Sequence, residues 1–149
     1  MASDSFSVSH SYLEKILEGT TEGDMSSFFD AIDDDVHWTV AAASGEPTQF
    51  AGVYNKQQWL EKLSAPVGAR LSNKLKVKIL SIDVVSPTKA IVETISDATQ
   101  RNGKPYNNTF CWIFIFSPKT GKIVKIREYL NSALLLQLLE NNEPQPPSQ

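Results

Sequence analysis

FCWIFIF, Phe110 to Phe116, is the stretch on which the fold turns. Counted in twos, Phe110, Trp112, Phe114 and Phe116 share one face of a strand, and Cys111, Ile113 and Ile115 share the other. A strand that is apolar on both faces has both faces covered. Its neighbours are also of strand length and are joined to it by short turns. Leu75 to Val85 leads through Ser86-Pro87-Thr88-Lys89 to Ala90 to Thr99. Arg101-Asn102-Gly103-Lys104 then leads to the central stretch, read as Tyr106 to Phe116, and Pro118-Lys119-Thr120-Gly121 to Ile123 to Leu130. Short Pro- and Gly-containing turns predict antiparallel hairpins.

The first half of the chain has helical spacing instead. Tyr12, Ile16 and Leu17 fall on one face of a helix that Gly19 ends. Asp24 is the expected N-cap of a second helix carrying Met25, Phe28, Phe29 and Ile32. Val36 to Val40 alternates as a short strand with Val36, Trp38 and Val40 inward. Past a small-residue loop, Asn55 with Gln58 three residues on predicts a capped helix bearing Trp59, Leu60 and Leu63, with Pro66 after its end. Asn131 or Ser132 is expected to cap a last helix with Leu134, Leu135, Leu138 and Leu139 on one side. Helices followed by a meander of strands predict an α+β domain over residues 10–140, with polar, disordered segments at 1–9 and 141–149. Helices cover one face of the sheet, and a homodimer through the other face is expected.

The totals narrow the function. At 149 residues, 41% hydrophobic and 21% charged, the chain suits one globular domain. A net charge of −3 with scattered basic residues argues against nucleic acid. Lys74, Lys76 and Lys78 alternate as a solvated strand face. Cys111 is alone, and no His/Cys cluster has metal-ligand spacing, so no disulfide or metal site is expected. MASDSFSVSH does not read as a secretory leader, and no run approaches the ~20 apolar residues of a membrane span. A cytoplasmic protein that engages no membrane is the expectation.

Period-two counting places acids where aliphatics are expected. Leu130, Glu128, Ile126 and Val124 share a face of the last strand. Glu93 and Asp97 alternate with Ile91 and Ile95, and Asp83 follows Val77 and Ile79. A carboxylate on an apolar face is paired, protonated, at a wet rim or lining a cavity. Asp83 suits the rim. Glu93 and Asp97 suit either a cavity or ion pairs with Arg101 or Arg127. Glu128, flanked by Ile126 and Leu130, is the strongest candidate for chemistry, with a buried pair as the alternative. His37 reads as a surface residue or as a proton shuttle at a cavity mouth. Tyr106, Trp112 and Tyr129 read as cavity walls and hydroxyl donors or as core, and Asn108 as turn chemistry or a ligand contact.

Several segments resemble a known family. They are Glu22-Gly23-Asp24, Phe28-Phe29, Asp34 to Val40, Phe50-Ala51-Gly52-Val53-Tyr54, Asn102 to Asn108, Thr120-Gly121-Lys122-Ile123 and Arg127-Glu128-Tyr129. In that order they resemble the SnoaL-like branch of the nuclear transport factor 2-like superfamily. Relatives include polyketide cyclases, ketosteroid isomerases, limonene epoxide hydrolases and fungal natural-product isomerases. The resemblance implies a cone-shaped α+β barrel, with N-terminal helices packed on a curved antiparallel sheet around a central pocket. It also implies acid–base chemistry without a cofactor, and homodimers. Members often end the last strand in Glu-Tyr-x-Asp, whereas this chain has Glu128-Tyr129-Leu130-Asn131. Asn131 can orient an oxygen or a water but not exchange a proton at neutral pH. Proton transfer then falls to Glu128, to another strand acid such as Asp97, or to His37.

The expected function is an isomerase or cyclase acting on an apolar, oxygenated natural-product intermediate of polyketide or terpenoid type. Glu128 is the expected acid or base, with Asn131, Tyr106 and Arg101 orienting substrate oxygens. Trp38, Phe110 and Trp112 are expected to shape the pocket, with Glu93, Asn108 and Tyr129 completing its lining. The alternatives are epoxide opening by an activated water and a non-catalytic binding or dimerisation module.

Overall fold

The computed structural model describes residues 5–41 and 48–146. Residues 1–4 and 147–149 of the two ends expected to be disordered, and residues 42–47 of the small-residue loop, lie outside that range. Helix α1 (His10–Leu17) is capped by Ser9, whose hydroxyl accepts the Tyr12 N–H at 3.1 Å. A 3-10 stretch (Glu18–Glu22) follows and ends on Gly23 in the left-handed region, at φ 81°. Helix α2 (Ser26–Asp30) is preceded by Asp24, whose carboxylate accepts the Ser26 N–H at 3.0 Å. Strands β1 (Ile32–Val40) and β2 (Gly52–Tyr54) come next, then the helices α3 (Lys56–Trp59) and α4 (Ala65–Gly68). Strands β3 (Lys76–Ser86), β4 (Lys89–Asp97), β5 (Thr109–Phe116) and β6 (Ile123–Leu130) precede α5 (Ser132–Asn141).

The α+β class holds, but the barrel does not form. The strands lie in one sheet of order β2-β1-β6-β5-β4-β3, so β2 and β3 are free edges and the sheet is open. Nor is it purely antiparallel. β1 runs parallel to β6, pairing Trp38 with Ile126 and Val40 with Glu128. Hairpin turns between β3 and β6 dictate antiparallel pairing there, whereas the β1–β6 contact joins segments some 90 residues apart and has no local turn to announce it. Helices, not further strands, cover one face. Leu13, Phe28, Leu63, Leu135 and Leu138 are buried with Trp38, Val92, Phe114 and Ile126.

Two bulges alter faces that simple alternation assigns. Between Ile79 and Ser81 the β3 register shifts, so Ile82 opposes buried Val92 and Asp83 opposes Ile91 on the outer face. Asp83 therefore does not share a face with Val77 and Ile79. The bulges and the exposed Lys76, Lys78 and Asp83 also protect this edge strand from pairing with another chain. In β6 the shift between Ile115 and Phe116 seats Ile123, fully buried, where alternation expects Val124.

Pro66 does not end the third helix as expected. Lacking an N–H, it cannot bond the carbonyl four residues back. The chain widens instead into a π-helical stretch, Leu60–Ser64, with Ala65 N–H bonded to the Leu60 carbonyl. The helix thus continues to Gly68, and its widened turn faces the sheet through Leu63 and Ser64. At the start of the described chain, Phe6 lies 5.0 Å from the Tyr12 ring and 5.6 Å from Phe116, and Val8 is buried.

Candidate active site

Between the inner sheet face and the helices lies a cavity of about 230 Å³. Strand alternation supplies its floor: Val92 and Thr94 from β4, Phe110, Trp112 and Phe114 from β5, and Glu128 and Leu130 from β6. The roof comes from Phe28, Phe29, Trp59, Leu63 and Val67. Phe110 stacks on Trp112 at 5.5 Å and 22°, and Trp112 on Phe114 at 6.1 Å and 24°, so β5 presents a flat aromatic wall.

Glu128 sits in this apolar floor with only 2% of its surface exposed. Its Oε1 accepts two indole N–H groups, from Trp38 at 2.9 Å and from Trp59 at 3.1 Å. The two indoles are stacked, 4.1 Å apart and 13° from parallel, which aims both donors at one oxygen. Glu128 lines the cavity, and among the described residues no hydrogen bond reaches the second oxygen of its carboxyl. Burial raises the Glu128 pKa from 4.5 to about 7, against the lowering effect of the two indoles. The group is therefore poised between acid and base near neutrality.

Tyr106 is the second polar group of the inner end. It is buried, and its pKa is pushed up to about 12 by burial, with the Glu128 charge adding to the rise. Asn108, fully buried, decides which way its hydroxyl points. The Asn131 N–H donates to Asn108 Oδ1 at 3.0 Å, which identifies that atom as oxygen. Asn108 Nδ2 then donates to the Asn131 carbonyl at 3.1 Å and to the Tyr106 hydroxyl at 3.0 Å. The Tyr106 oxygen thus accepts from Asn108, and its own proton is free for the cavity. Asn108→Leu would leave these partners unpaired and is expected to cost about 2–4 kcal/mol. It should also randomise the hydroxyl. Urea denaturation of Asn108→Leu beside Tyr106→Phe checks this, because Tyr106→Phe alone should cost far less.

The remaining sequence candidates separate cleanly. Glu128, Tyr106, Phe110 and Trp112 line the cavity, and Trp38 and Asn108 stand directly behind it. His37, Glu93, Asp97 and Tyr129 are exposed, on the opposite sheet face. Glu93 there accepts the Ser81 hydroxyl at 2.8 Å. Asn131 is exposed and spends its side chain accepting the Leu134 N–H at 3.2 Å, as the N-cap of α5. Arg101 is also exposed, donating to the Glu143 carbonyl. None of these six reaches the cavity. Conversely, the sequence presents Trp59 only as part of a helical stripe. Its indole signal is there to be read, but nothing ties position 59 to position 128. Among the described residues no group of acidic, His or Cys side chains could hold a metal ion.

No family model and no curated protein matches this chain. Solved structures do match it. A nuclear transport factor 2-like protein from Burkholderia thailandensis superposes with a TM-score of 0.67 at 16% identity, covering 87% of this chain and 95% of its own. PrhC from Penicillium brasilianum gives 0.64 at 16% identity, covering 86% and 83%. A putative SnoaL-like polyketide cyclase from a Jannaschia species gives 0.63 at 9% identity, covering 92% of each chain. The chain shares the nuclear transport factor 2-like fold.

Proposed function

We propose that this protein is an enzyme of SnoaL-like type that binds an apolar, oxygenated small molecule and moves a proton within it, in an isomerisation or cyclisation. One observation carries the proposal: a fully buried carboxyl with a pKa of about 7, placed in the wall of an apolar cavity and hydrogen-bonded through one oxygen only. Because both indoles donate to Oε1, the proton of the acid form resides on the other oxygen. That oxygen takes a proton from a carbon or oxygen of the substrate and returns it elsewhere on the same molecule. Tyr106 donates its free hydroxyl proton as a hydrogen bond to a substrate oxygen on which charge builds. The aromatic wall of β5 supports a flat body. The putative SnoaL-like polyketide cyclase of Jannaschia, whose structure has this fold, agrees with such a ligand.

Epoxide opening by water is less well supported, since it needs an acid and a base flanking the water. Glu128 is the one carboxylate lining the cavity among the described residues. The decisive experiment is exchange: solvent deuterium incorporated into a bound ketone or enol by the native protein, and lost in Glu128→Gln. Incorporation that persists in the variant would remove Glu128 from the reaction.

A homodimer through the outer sheet face belongs to the same proposal. Ile91, Ile95, Ile113 and Ile115 are half-buried there in the single chain, beside exposed Tyr129. Sedimentation should show a dimer for the native chain and a monomer for Ile113→Lys, with the Glu128 titration unchanged. A native chain that sediments as a monomer at all concentrations would refute this pairing.

A further inference from the structure

The cavity has an inner end, at Glu128 and Tyr106, and a mouth. Of its lining residues only Gly68 and Lys74 are exposed, which puts the mouth between the end of α4 and the segment leading into β3. A side chain built on Gly68 would meet no atom within 4 Å, so this lining residue borders open space. Lys74 is the other exposed lining residue. Its aliphatic stem is laid over Gly23, where an added Cβ would approach Lys74 Cδ to 2.8 Å. That contact directs the stem along the rim and leaves the ammonium in solvent at the entrance.

Charge along this path is sparse. Lys74 and Glu128 are the two charged residues lining the cavity among those described, one at each end. Lys74 Nζ makes no hydrogen bond or ion pair among the described residues. Lys56, by contrast, is held by Asp34 at 3.0 Å and by the Phe29 and Ile32 carbonyls. Asp24 is the nearby acid, but its carboxylate is taken up by Ser26, with Oγ at 2.6 Å and N at 3.0 Å. The Lys74 charge is the smallest of the influences that lower the Asp24 pKa. A free ammonium at the mouth of an apolar cavity is complementary to a molecule with an apolar body and an anionic end.

Resting on the reading of this cavity as the substrate site, we infer that the ligand is an organic acid whose carboxylate stays at the mouth on Lys74 while its ring system lies against the β5 wall. The reacting part of the molecule is then the end remote from the carboxylate, which is delivered to Glu128 and Tyr106. Lys74 acts as a specificity determinant and takes no part in proton transfer.

The test is calorimetric binding of 2-naphthoate and of its methyl ester to the native protein, Lys74→Met and Lys74→Arg. The native protein should favour the acid. Lys74→Met should weaken the acid about fivefold and the ester less than twofold, as expected of an ion pair partly open to solvent. Lys74→Arg should restore the preference. Equal weakening of acid and ester, an acid unaffected by Lys74→Met, or no binding of either probe would each overturn the inference. The same titrations in Glu128→Gln separate the two proposals: an acid preference that depends on Lys74 and survives in this variant stands even if Glu128 proves to have no catalytic role.

Discussion

Glu128→Gln is expected to lose the proposed proton-transfer activity by about 10²–10⁴-fold while making the fold less sensitive to pH. The second effect needs no substrate and follows from linkage. Burial raises the Glu128 pKa from 4.5 to about 7. Between those values the folded protein holds a proton that the unfolded chain has already released. Stability is therefore greatest below the lower value and falls as pH rises through the upper one. The fall amounts to about 3 kcal/mol once the group is ionised in both states. Gln keeps an oxygen to accept the two indole N–H groups and does not ionise. Urea midpoints from about pH 4 to pH 9 should then decline for the native protein and decline less for Glu128→Gln. Parallel curves for the two proteins would mean that Glu128 is not held protonated by the fold.

Removing the indole donors should move the same group in the opposite sense to removing its burial. Both indoles lower the Glu128 pKa by favouring its charged form, so Trp38→Phe should raise it above about 7. Trp38 has no exposed surface, and the smaller ring leaves a gap, so this variant should also cost about 2–4 kcal/mol. Trp59→Phe should raise the pKa in the same direction. Its stability cost should be smaller, because Trp59 is only half-buried on the helical roof. Carboxyl carbon shifts followed by NMR against pH would resolve both. A midpoint that stays put or falls in either variant would show that the indoles do not set the acidity. For an acid–base catalyst this setting matters more than the contacts themselves, since the useful pH range follows the pKa of the transferring group.

Alternation alone makes Glu128 legible, because a lone acid between Ile126 and Leu130 breaks a pattern that burial enforces on both sides. The same counting misplaces its companions. Glu93 and Asp97 do alternate with isoleucines, yet the small residues Ala90, Val92, Thr94 and Ser96 face the helices and the isoleucines face outward. Period-two counting says which residues share a face, not which face is the inner one. The aromatic wall and the capping box at Asn55 are equally local signals, and both are present as read. Asn131 reads as a substrate contact by position in the chain, but its side chain meets the first turn of α5 before anything else.

Local sequence settles what is encoded within about ten residues: the strand periods, the hairpin turns, the caps at Asn55 and Asn131, and the presence of acids among aliphatic residues, Glu128 being one of them. These follow from backbone geometry and from turn residues, whose preferences act on near neighbours. Packing between distant segments settles the rest. The parallel pairing of β1 with β6, the open edges of the sheet and the two bulges that re-aim Asp83 and Ile123 all depend on it. So does the pair of indoles, from β1 and from the roof helix, that converge on one oxygen of Glu128. Spacing in the chain carries no trace of such convergence, because it arises when separate elements are packed into one core.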